Sequence, residues 1–92
     1  MNLLEAVATN NLEEGKKSLA DGADVNKRGG LFDETALMWA STTDNTETVK
    51  ALLAAGANVK AKDHAGRTAL MRAKANNHTE IVKLLKAAGA KE

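Results

Sequence analysis

The residues of this 92-residue chain best suited to acid–base or metal chemistry are its two histidines, His64 and His78, and they stand alone. A zinc site gathers several Cys, His or carboxylate ligands at fixed spacing. The chain has no Cys, and neither His has a second His at ligand spacing. His78-Thr79-Glu80 lacks the second imidazole of H-E-x-x-H, which must lie one helical turn away to share the ion. No Ser sits in a nucleophile elbow, and Gly29-Gly30 is neither a phosphate-cradling P-loop nor G-x-G-x-x-G. Asn77-His78-Thr79 has the form of a glycosylation acceptor. The start, Met1-Asn2-Leu3-Leu4-Glu5, has no basic region leading into a long apolar run, so no secretory signal is expected and the acceptor reads as coincidence. No enzymatic activity, metal, cofactor or small-molecule substrate is expected.

Contact chemistry remains. Leu31 and Phe32, the latter the only Phe, follow Gly29-Gly30 in a polar stretch. Large apolar side chains exposed on a loop anchor protein partners; folded back onto a neighbouring loop or helix, the same pair is packing. Burial separates the two readings. Trp39, the only Trp, lies on a helical stripe beside Leu37 and Ala40, either packed between neighbouring units or partly open to the surface. Lys27, Arg28, Lys60, Lys62 and Arg67 gather between the helical segments, where they either steer an acidic partner or form a solvated rim.

The elements that position these residues are read from a repeat. Thr35-Ala36-Leu37-Met38 recurs 33 positions on as Thr68-Ala69-Leu70-Met71, and the same step carries Glu47 onto Glu80, Val49 onto Val82 and Gly56-Ala57 onto Gly89-Ala90. A fainter copy lies 34 positions upstream, where Leu3 matches Leu37, Ala6 matches Ala40 and Gly22-Ala23 matches Gly56-Ala57. Within a unit, Ala36, Leu37 and Ala40 mark one buried helical stripe, and Val49, Leu52 and Leu53 another. Thr35 and Thr68 are placed to cap their helices. Asn10, Asp44 and Asn77 fall at the corners between helices, where a left-handed residue is needed. Gly22, Gly56 and Gly89 follow the second helices at the usual left-handed position. The stretches 27–34 and 60–67 are too short for further helices and read as hairpin-like loops. The expected fold is all-α: one domain of three helix-turn-helix units, at about 1–29, 30–62 and 63–92.

Composition agrees. Lys plus Arg numbers 13 against 12 Asp plus Glu, a net +1 that argues against general nucleic-acid binding. No apolar run approaches a membrane span, which takes about 18 residues. Only 2% of residues are aromatic, so the apolar mass is Ala, Leu and Val, suited to thin helices packed in a row.

The chain resembles ankyrin repeats, whose pattern runs D-x-x-G-x-T-P-L-H, a G-H-x-E-V-V turn, then L-L-x-x-G-A-D-V-N. It appears here as Asp63-His64-Ala65-Gly66-Arg67-Thr68-Ala69-Leu70-Met71, Asn77-His78-Thr79-Glu80-Ile81-Val82, and Gly22-Ala23-Asp24-Val25-Asn26. The resemblance implies a solenoid that binds a protein through loop tips and a concave helix face. Carried over, the tips are Leu31, Phe32 and Glu34, then His64, Ala65 and Arg67, with Arg28 and Lys62 at the loop bases. The helix face offers Trp39, Thr42, Thr43, Ala75 and Asn76, with Ala8 and Thr9 in the first unit. His78 matches the family's turn histidine, whose ring bonds backbone. Met38 and Met71 replace the family's loop-proximal His, so apolar packing is expected where a polar link is usual. Gly15 and Ser18 replace the residues found at Val49 and Leu52, and should weaken the first unit. Arg72, Lys74 and Lys86, at the positions of Trp39, Ser41 and Leu53, are expected to face outward and mark the third unit as a C-terminal cap of a modestly stable array. A cytoplasmic monomer acting as scaffold or adaptor is the leading expectation. The alternative is a structural repeat fragment, or a designed or ancestral repeat protein, with no dedicated partner.

Overall fold

The computed structural model describes residues 2–90. Among them lie three helix pairs: α1 (Leu3–Ala8) with α2 (Leu12–Ala20), α3 (Ala36–Thr42) with α4 (Thr46–Ala54), and α5 (Ala69–Ala75) with α6 (Thr79–Ala87). The short helices α1, α3 and α5 form one row, and the longer α2, α4 and α6 form a second row behind it.

Local chemistry fixes the ends of these helices. The Thr35 hydroxyl accepts from Met38 N–H at 3.3 Å and that of Thr68 from Met71 N–H at 3.2 Å, satisfying first-turn amides. Asn2 caps α1 in a reciprocal box with Glu5. Asn10, Asp44 and Asn77 turn each corner with φ near +58°. At the far end of α2, Gly22 N–H bonds to Leu19 O and Ala23 N–H to Ser18 O, with Gly22 at φ +91°. The same pair of hydrogen bonds closes α4 at Gly56, as expected of a left-handed helix end.

One apolar core runs through all three pairs, led by Leu37, Leu52, Leu70, Ile81 and Leu85. Met38 is buried in it, so apolar packing takes this position. Polar bonds between loops and corners add the register. The Asn26 side-chain Oδ1 accepts from Asn58 N–H at 2.7 Å, and Asn45 donates to Asn10. His78 Nε2 lies 3.0 Å from the Thr42 carbonyl, which can only accept, so Nε2 carries the proton and Nδ1 faces Asp44 at 3.5 Å.

Arg72 departs from expectation. It does not face outward: it is buried between α5 and the loops, its Nη1 2.5 Å from Glu34 and its Nη2 2.6 Å from Asp63. A guanidinium on a buried stripe must bring its counter-charges with it, because an unpaired buried cation is very costly.

Candidate functional site

The first loop is held rigidly at its base and left bare at its tip. Gly29 and Glu34 form an antiparallel bridge through both backbone N–H groups, at 2.9 and 2.8 Å. Gly29 passes close under α1, where a Cβ would come within 2.7 Å of Leu4 Cδ1, and Gly30 takes φ +79°. Asp33, at φ +55°, completes the reversal. Arg28 ties this loop to the next, donating to the carbonyls of Lys62 at 2.5 Å and Asp33 at 3.2 Å. From the second loop, His64 N–H donates to Phe32 O at 2.7 Å.

On this frame Leu31 is 94% exposed and Phe32 49% exposed. Neither folds back into the core, although Phe32 is partly sheltered. Beside the loop, Trp39 packs its inner side on the core and its outer side lines a groove of about 190 Å³ with Leu4, Glu5, Ala8, Gly29 and Gly30.

Glu34 was expected at the loop tip and is not there. It is 7% exposed, because the reversal at Asp33 turns its side chain inward onto Arg72. It therefore anchors the loop and offers no surface. Asp63 does the same for the second loop, accepting from Ala65 and Arg67 N–H at 2.9 and 2.8 Å and from Arg67 Nε at 3.1 Å. Burial would raise its carboxyl, but the bonds from Arg72, Arg67 and Ala65 and the Arg67 charge outweigh it. The Asp63 carboxyl is held well below the ordinary carboxylate range.

The remaining candidates fall into two groups. Arg28, Lys62, His64 and Arg67 belong to the two joined loops; His64 and Lys62 are exposed, and Arg67 is half-exposed against Asp63. Thr42, Thr43, Ala75 and Asn76 lie at the opposite ends of α3 and α5, about 10 Å along the helices at 1.5 Å per residue. Their polar groups are largely engaged. Thr42 Oγ1 donates to Met38 O and accepts from Arg72 Nη1, Thr43 Oγ1 donates to Trp39 O, and Asn76 Nδ2 donates to Arg72 O. Ala75 is exposed and can offer only contact. Leu4 and Asp63 are parts of the site that the sequence does not single out: Leu4 lines the groove, and Asp63, the first residue of the D-x-x-G-x-T stretch, anchors the second loop.

Among the described residues no group of three or more His, Cys, Asp or Glu is arranged to hold a metal. Nor is any described helix long and apolar enough to cross a membrane.

The chain is 46% identical over 61 residues, 66% of its length, to the mitochondrial disaggregase of Homo sapiens, and equally so to that of Bos taurus. The chain spans only 8% and 9% of those proteins. A family model of ankyrin repeats matches residues 3–92 in three copies. With capped helix pairs, left-handed corners and bonded loops recurring at the period of that model, the chain belongs to the ankyrin-repeat family.

Proposed function

We propose that this chain is a protein-binding module, a scaffold or adaptor, that grips its partner with the tip of the first loop and the adjoining groove at Trp39. Ankyrin repeats are in general protein-interaction modules, which supports the class. The observation that carries the site is the exposure of Leu31 and Phe32 on a backbone fixed by the Gly29–Glu34 bridge, Arg28 and the Glu34–Arg72 pair. A preorganised apolar tip loses little conformational entropy on binding, and its burial supplies the driving force. The reading includes a monomer without catalytic activity. A cytoplasmic location, suggested by the sequence alone, sits beside relatives whose name places them in mitochondria.

A structural segment with no dedicated partner is the second reading. What favours it is that the resemblance to the disaggregases covers a small part of those proteins. Their disaggregase activity belongs to the whole proteins and is not carried over.

The test is an affinity capture from source-cell lysate with the native chain and with a Leu31→Ser/Phe32→Ser variant of matched helicity. A protein retained by the native chain and lost by the variant is the expected result. Retention of the same protein by both removes the loop tip from the site and leaves the Trp39 groove and Thr42 and Thr43 to carry it. Retention of nothing specific by either sinks the binding reading in favour of the second.

A further inference from the structure

Exposed acids and bases are balanced differently on the loops and on the helices, which carry six further exposed lysines, Lys16, Lys17, Lys50, Lys74, Lys83 and Lys86. The two joined loops carry Lys27, Arg28, Lys60, Lys62 and Arg67, all exposed. Of their acids, Glu34 and Asp63 are buried on Arg72, and Asp33, itself exposed, lies 3.6 Å from Arg28. Asp24 is exposed but accepts from Asn26 N–H in its own turn. None of the ion pairs among the described residues uses Lys27, Lys60 or Lys62. The other exposed acids sit on the helices and at their ends, Glu5 among them on the wall of the Trp39 groove. A chain of net +1 thus presents a locally cationic rim around a bare apolar tip.

Resting on the binding-module reading, we infer that the partner is an acidic protein segment bearing a large apolar side chain. The apolar residue seats against Leu31, Phe32 and the Trp39 groove, while flanking carboxylates face Lys27, Lys62 and their neighbours. The tip alone would accept any apolar surface; the rim adds steering toward a negative one and sets the sign of what lies beside it. A single-stranded nucleic acid would need stacking platforms along a cationic groove. The loops supply one aromatic ring, Phe32, and Trp39 is partly buried behind them.

The test selects random short peptides displayed on phage against the whole chain, then measures Kd of the enriched peptides by fluorescence anisotropy. The expected peptides carry Asp or Glu beside an aromatic or aliphatic residue. Lys27→Glu/Lys62→Glu should weaken them about tenfold, and the neutral Lys27→Gln/Lys62→Gln about threefold, with added salt acting in the same direction. Both lysines are exposed, and circular dichroism checks that the variants stay folded. Peptides without acidic bias, weakened by Leu31→Ser/Phe32→Ser but indifferent to the lysine changes, overturn this inference and leave the binding module standing. No enriched peptide, or peptides indifferent to both sets of changes, overturns both. Tighter binding of a single-stranded oligonucleotide than of any peptide, sensitive to the same reversals, overturns it in favour of a polyphosphate ligand.

Discussion

The two seams between neighbouring helix pairs are built on the same backbone and held in different ways. Where α3 meets α1, Trp39 lies partly over the joint and Gly15, on α2 behind it, leaves space unfilled. Where α5 meets α3, Arg72 occupies the position equivalent to Trp39 and locks onto Glu34 and Asp63, drawing two loops and a helix together. An apolar seam tolerates sliding and imperfect filling, since its attraction is non-directional. An ionic one specifies register and fails abruptly if one partner is lost. The rigid loop base under Leu31 and Phe32 is therefore a consequence of the second seam.

Removing Arg72 is the sharpest way to break that contrast. Arg72→Ala strands the buried Glu34 carboxylate, and loss of one member of a buried pair costs about 3–5 kcal/mol, a large part of the stability of a small domain. Urea unfolding should show this, and replacing the pair together with Glu34→Leu and Arg72→Leu should recover part of it, since Asp63 keeps its bonds from Ala65 and Arg67. A loss under about 1 kcal/mol in the single variant would mean that apolar packing holds both seams alike. The pair also sets an acid limit. Asp63 has its folded pKa depressed below the unfolded 3.8, so its contribution is complete above that value and is lost as pH falls below it. Arg72→Ala should flatten that decline, because it removes one of the causes.

Met38 and Met71 sharpen the contrast at the next smaller scale. They occupy equivalent positions, yet Met38 is 1% exposed and Met71 43%. Met38→Ala should cost about 2–4 kcal/mol by opening a cavity against α5, whereas Met71→Ala should stay within about 0.5 kcal/mol. Equal losses in the two denaturation midpoints would show that repeat position, and not burial, decides the cost.

What could be read from the sequence was local. Thr35 and Thr68 cap within three residues, and Asn10, Asp44, Gly22 and Gly56 turn the chain where they stand, so type and spacing sufficed. Leu31 and Phe32 were visible as candidates, but their exposure depends on how the loop is tethered. Glu34 and Arg72 were misplaced for the same reason. Their pairing joins one helix pair to the next, and the inward turn of Glu34 depends on Asp33 taking a positive φ, which composition does not announce. One signal was available: a cation at the position of Trp39, on a stripe that buries its neighbours, demands a buried acid within reach.

The one expected effect of opposite sign, smaller than the losses at Arg72 and Met38, lies at Gly15. Its equivalents are Val49 and Val82, and in their absence a void of about 10 Å³ remains between α2 and α4, lined by Leu3, Val7, Leu19, Thr48 and Leu52. Gly15 is helical and buried, and a Cβ built there meets nothing within 4 Å. Ala at this site keeps the backbone, removes the entropy penalty of Gly in a helix and begins to fill the gap. Gly15→Ala should therefore stabilise the chain by about 1 kcal/mol, read as a raised urea midpoint with unchanged slope. Because Gly15 lies in the row behind the loops, peptide binding at Leu31 should not change. A stabilised variant with altered affinity would mean that looseness in the first pair is transmitted to the tip, and the rigid tether assigned to Arg72 would no longer explain the loop alone.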